Sequence, residues 1–77
     1  MRFLLEAQES FALLADLPNI GTIRDYGNPD LFGLRMWPIP RFRKYLIFYV
    51  TTNDLVKIVR VLHGSQDIQS IFSPESE

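Results

Sequence analysis

No cysteine occurs in this chain of 77 residues, so it has neither a disulfide framework nor a thiolate metal site. There is one histidine, which cannot make a dedicated metal site alone. The carboxylates show no spacing that pairs an acid with a base, and no glycine-rich phosphate loop is present. The longest apolar runs fall far short of a membrane span. The N-terminus lacks the signal-peptide order of basic region, apolar run and small-residue cleavage site. A soluble, cytoplasmic, single-domain protein without cofactor or metal is the expectation, with residues 73–77 as a flexible tail.

What is present is apolar residues, at 47%, of which aromatics make 13% of the chain. That is rich for so short a chain. Either the core is dense or some apolar surface is meant for a partner. The net charge of −1 hides a split. From Arg35 to Arg60 six cations (Arg35, Arg41, Arg43, Lys44, Lys57 and Arg60) face the single acid Asp54, a net +5, while the remainder of the chain carries −6. The basic middle suits nucleic acid or an acidic protein segment.

Residues 2–17 read as a helix whose inner face carries Phe3, Leu4, Ala7, Phe11 and Leu14. Leu5 and Leu13 lie off that face, where a small surface helix has no need of leucine. Packing against something outside the chain accounts for them. Pro18 ends the helix, and residues 19–30 are loop-like, with an extended segment at 22–26. Residues 31–39 alternate as a half-buried strand, with Phe32, Leu34 and Met36 on one side and Arg35 and Trp37 on the other. Pro38 and Pro40 place the end of that strand at a sheet margin, and residues 40–44 form a basic connection. Residues 45–50, apolar on both faces, read as a central covered strand. A polar turn at 51–54, centred on Asn53 and Asp54, leads into the strand 55–62. Gly64 breaks that strand, and Ser65 can cap a short helix at 66–72. The fold expected is α+β in two layers: an N-terminal helix, an antiparallel meander of three to four strands, and a short C-terminal helix.

One catalytic class is compatible with these residues. Metal-free RNA cleavage needs a base for the 2′-hydroxyl, cations for the phosphorane and an acid for the leaving oxygen. Arg35, Lys57, Arg60 and His63 are the candidates, with Tyr45 and Tyr49 as proton carriers. Regular strand geometry opposes the idea, since odd spacings set Lys57 against Arg60 and Arg60 against His63. Blander roles compete at each position. His63 reads first as a strand-end histidine bonded to nearby backbone, and Trp37 as a core or sheet-edge aromatic before a stacking platform. Arg60 fits an ion pair with Asp67 as well as a ligand contact. The basic stretch Arg41 to Lys44 fits a solvated turn as well as a binding surface.

The series "LRMWPIPRFRKYLIFYV", a short turn, then "VKIVRVLHGSQDIQSIF" resembles the C-terminal half of ParE-type toxins in the ParE/RelE superfamily of toxin–antitoxin systems. The features that carry it are Leu34, Arg35, Ile39, Phe42, Tyr45 to Tyr49, Ile58, Arg60, Val61, His63, Gly64 and Asp67, within residues 17–72. Relatives begin with a further strand and long helix, and the chain is expected to start at their second helix. Gln66 stands where many relatives carry arginine. The resemblance implies a toxin neutralised by an antitoxin, with DNA gyrase or the ribosome as target. Gyrase inhibition by protein binding is the nearer of the two, because "QDIQSIF" offers no Arg, His or Tyr. Ribosome-dependent mRNA cleavage, or a shortened non-toxic relative that keeps antitoxin binding, are the alternatives. The target-binding set expected is Arg35, Trp37, Arg41, Arg43, Lys44 and Arg60. Leu5 and Leu13 are expected to contact the antitoxin, or a second copy in a homodimer joined through the N-terminal helix.

Overall fold

The computed structural model of the chain describes residues 2–53 and 55–74. Helix α1 (Arg2–Asp16) is followed by β1 (Thr22–Ile23), a 3₁₀ turn (Pro29–Leu31), β2 (Arg35–Ile39), β3 (Phe42–Thr52), β4 (Leu55–His63) and α2 (Ile68–Phe72). The strands form one antiparallel sheet in the order β1-β2-β3-β4. This is the α+β meander the patterning predicts. No helix among the described residues is long and apolar enough to cross a membrane.

Helix α1 covers one face of the sheet. Ala7, Ser10 and Leu14, spaced three and four apart, are its buried residues, and Ala7 and Leu14 pack on Ile39, Ile47 and Tyr49. Phe3 and Phe11 join them, but Leu4, expected inward, is 55% exposed because it sits one position round the helix from Phe3. The other face is covered by α2 and the loop before β2: Leu34, Phe48, Leu62 and Phe72 form its buried centre. Strand β3 therefore has an apolar side chain on both faces, as its unbroken apolar run requires.

The joint between α1 and β1 is pinned from the sheet. Tyr49, fully buried, donates its hydroxyl to the Pro18 carbonyl at 2.7 Å and accepts the Gly21 N–H at 2.9 Å. Its cross-strand neighbour Arg35 donates Nη1 to the Asn19 carbonyl at 3.1 Å and the Gly21 carbonyl at 2.7 Å. Gly21 is required there, since a Cβ would lie 2.5 Å from the Tyr49 hydroxyl oxygen.

Several local readings are corrected. The extended segment at 22–26 is a strand only over Thr22–Ile23. The strand expected from residue 31 starts at Arg35, because Asn28 caps a 3₁₀ turn by accepting the Asp30 N–H, and Phe32 is left 91% exposed beyond it. Pro38 lies within β2, yet β1 pairs only with Arg35 and Met36, so its missing N–H faces no partner strand. The basic connection shrinks to Pro40–Arg41, with Arg41 left-handed (φ 71°) after a proline that suits the turn; Arg43 and Lys44 belong to β3. In the β3–β4 hairpin Asn53 takes a left-handed φ of 50°, as a turn asparagine can, while Thr51 and Thr52 extend the strand and Asp54 lies outside the described residues. Helix α2 is capped by Asp67, which accepts the Ser70 N–H, and not by Ser65, whose N–H is bonded to His63. Of the expected tail, residues 75–77 lie outside the described residues.

Candidate functional site

A β-bulge decides where the basic residues of β4 point. Phe48 pairs with Arg60 but Tyr49 pairs with Ile58, so Val59 is an extra residue with no partner on β3. Alternation restarts after it. Lys57 lies opposite Val50 and Arg60 opposite Phe48, and both partners belong to the α2-side cluster. Lys57 and Arg60 thus share the α2 face, about 7 Å apart along the strand, which corrects the opposition expected from their odd spacing. Arg60 makes no ion pair with Asp67, whose carboxylate is held at the α2 cap by the Ser70 N–H and hydroxyl.

His63 and Arg35 are on the other face. His63 pairs with Tyr45, and Arg35 with Tyr49, both on the α1 side. Four residues of β3 and the width of two strand spacings separate them, on the order of 15 Å. The four catalytic candidates therefore divide two and two across the sheet. Arg35 is engaged with the Asn19 and Gly21 carbonyls. His63 is held by its own turn: Nδ1 accepts the Ser65 N–H at 3.0 Å and lies 2.8 Å from the Ser65 hydroxyl, and its backbone N–H donates to Gln66 Oε1 at 2.7 Å. Nδ1 is thus committed to the turn. His63 closes the strand and fixes the turn at Gly64, whose N–H donates to the Lys44 carbonyl at 2.7 Å.

Three cations do come together elsewhere. At the start of β3 an open cleft of about 480 Å³ is lined by Arg41, Phe42, Arg43, Lys44, Tyr45 and His63. Irregular pairing builds it. Ile39 pairs with Phe42 and Pro38 with Leu46, so residues 43–45 loop out of register with β2. The apolar side of the cleft is an edge-to-face chain of rings: Phe3 against Phe42 at 5.2 Å and against Tyr45 at 5.1 Å, and Tyr45 against His63 at 4.8 Å. Arg41 is paired with Glu6 of α1 at 3.0 Å. Arg43 and Lys44 form no ion pair among the described residues and give the cleft its uncompensated positive charge. Its charge and shape suit a carboxylate or phosphate. No group of three or more potential metal ligands occurs among the described residues.

The remaining expected residues are scattered. Trp37 packs against the α1-side core with its indole N–H buried and without an acceptor. Leu5 and Leu13 are 52% and 37% exposed on α1, and Leu4 and Leu17 are exposed as well. Nothing in the sequence announces the Glu6–Arg41 pair. The sole signal for Phe42 and Tyr45 in the cleft is their place among the cations of "RFRKY".

The family model described as "ParE toxin of type II toxin-antitoxin system, parDE" matches residues 1–68, helix α1 included. No curated protein and no solved structure matches the chain.

Proposed function

The chain belongs to the ParE toxin family of type II toxin–antitoxin systems, and from that premise we propose that it is a cytoplasmic toxin that inhibits DNA gyrase by binding it. The observation that carries this reading is the division of Arg35, Lys57, Arg60 and His63 between two faces, with Arg35 and His63 already engaged by backbone. Binding needs no such convergence. The cleft with Arg41, Arg43 and Lys44 is the contact surface for an acidic part of the target. A cognate antitoxin silences the toxin by laying an amphipathic helix along Leu5 and Leu13.

One observation favours a ribosome-dependent endoribonuclease: the bulge sets Lys57 and Arg60 side by side, as phosphate contacts would be. That pair has no histidine on its face.

The test is a supercoiling assay with purified chain, alongside growth on induction. Wild type should stop both supercoiling and growth, and Arg43→Glu/Lys44→Glu should stop neither while keeping its circular dichroism. Growth arrest with gyrase unaffected, and new mRNA ends inside translated codons, would overturn the proposal in favour of the ribonuclease.

A further inference from the structure

Phe32 is the most exposed large apolar residue described, at 91%, and the loop that carries it is held rigidly. Asp25 accepts the Gly27 N–H, Asn28 accepts the Asp30 N–H, and Asn28 Nδ2 donates to the Phe72 carbonyl at 3.0 Å. The Gln69 amide donates to the Tyr26 carbonyl, and the Arg24 N–H to the Leu34 carbonyl at 2.8 Å. Gly27 and Gly33, with φ of 79° and 80°, make the two bends that only glycine takes freely. A loop tied down in this way has its backbone ordering cost settled before any partner arrives, which suits the ring it carries to the role of an anchor residue.

Phe32 itself stands at the wall of a cavity of about 400 Å³, lined also by Ile23, Asn28, Pro29 and Leu31. Knob and hole thus sit on one patch. The patch also contains the free edge of β1. The Arg24 N–H points to β2, so by alternation the N–H and C=O of Ile23 point outward. Its charges are mixed, Arg24 against Asp25 and Asp30, unlike the single sign of the basic cleft. Knob with hole, donor with acceptor and both signs of charge on one surface are what an isologous contact requires.

We propose that the Ile23–Gly33 face is a self-association surface: two copies meet about a two-fold axis at the β1 edge, and Phe32 of each enters the cavity of the other. The two Ile23 residues exchange N–H···O=C bonds on the axis, joining both sheets into one, and Arg24 of each copy faces Asp30 of the other. This interface is separate from the α1 flank and leaves Leu5 and Leu13 open to the antitoxin.

The absence of cysteine supplies the experiment. A hydrogen-bonded antiparallel pair holds its Cα atoms about 5.5 Å apart, within disulfide range. Ile23→Cys should therefore oxidise to a covalent dimer about tenfold faster, or more, than Leu55→Cys, an equally free position on the far edge of the sheet. Adding Phe32→Ser should abolish that advantage. In sedimentation, Phe32→Ser should weaken the dimer at least about tenfold, whereas Leu13→Asp should leave it unchanged. Phe32 touches no core, so its loss spares the fold. Equal oxidation rates for the two cysteines, a dimer that survives Phe32→Ser, or a wild-type monomer at high micromolar concentration would each overturn the proposal.

Discussion

Tyr49→Phe removes one oxygen atom from the centre of the sheet and leaves the ring's packing in place. That oxygen serves one buried and one part-buried backbone group, accepting from the Gly21 N–H at 2.9 Å and donating to the Pro18 carbonyl at 2.7 Å. Each bond contributes about 0.5–1.5 kcal/mol net, and a buried group left without a partner costs about 1–3 kcal/mol. Arg35 already satisfies the neighbouring Asn19 and Gly21 carbonyls and has no acceptor to offer the stranded Gly21 N–H. A loss of about 2–3 kcal/mol follows, a large share of the roughly 4–12 kcal/mol expected for a domain of this length. In scanning calorimetry that is a fall in Tm of about 10–20 °C. Urea titration should show a lower midpoint with an unchanged slope, since the surface exposed on unfolding is the same. Gly21→Ala should be no milder. Its Cβ meets Tyr49 Cε1 at 2.8 Å and the Met36 carbonyl oxygen at 3.0 Å as well as the hydroxyl, so Tyr49→Phe should not rescue it. A fall in Tm below about 3 °C for Tyr49→Phe would mean that water reaches these groups, and the reasoning about the joint would fail.

Leu13→Asp puts a charge in the α1 flank and should weaken antitoxin binding by about 1–3 kcal/mol by titration calorimetry; unchanged affinity would remove that flank from the interface. His63→Gln should keep toxicity, because the amide oxygen can accept the Ser65 N–H in place of Nδ1. A ribonuclease dependent on His63 would instead lose about 10²-fold or more in rate, visible by sequencing mRNA ends. Arg41→Gly gives up an ion pair in which Arg41 is exposed but Glu6 is largely covered, at a cost of about 1–2 kcal/mol, but relieves a left-handed φ costing about 1 kcal/mol or more, so its stability should stay within about 1 kcal/mol of wild type. A loss above about 2 kcal/mol in urea titration would show that the Glu6 contact, and not the turn, holds the hairpin to α1.

The elements that periodicity alone specifies were legible. Residues 45–50 are apolar on both faces because α1 covers one and α2 the other, and Pro18 and Asn53 act as their chemistry predicts. Leu5 and Leu13 were readable as outward-facing because helical spacing is strict. Lys57 and Arg60 were not. One inserted residue inverts every side chain after it, and Val59 looks like any other strand valine. The cleft was half legible. Its charge is plain in "RFRK", but a five-residue connection was the natural reading, because an arginine with φ of 71° leaves no mark that a glycine would have left. Phe32 was misread for a related reason. Alternation continues through it on paper, while the Asn28 cap and Gly33 had already turned the chain.

The position of the cleft also bears on how an antitoxin on the α1 flank would silence it. Phe3 touches both Phe42 and Tyr45, and Glu6 holds Arg41, so the first turns of α1 pack against three of the residues that line the basic cleft. Leu4 and Leu5 lie between these two contacts in sequence and are 55% and 52% exposed. Leu17 is twelve residues further on, about 18 Å by helical rise. An antitoxin helix seated on Leu5 and Leu13 that ran on past Phe3 would overhang the cleft, and occlusion would then need no change in the toxin's shape. The expected outcome is exclusive binding: gel filtration of toxin, antitoxin and gyrase together should give two binary complexes and no ternary one. Leu5→Asp, beside the cleft, should let a ternary complex form when the antitoxin is in excess. Leu17→Asp, at the far end, should weaken the antitoxin without doing so. A ternary complex with the wild-type toxin would sink the occlusion argument, because the cleft would then be open while the α1 flank is occupied.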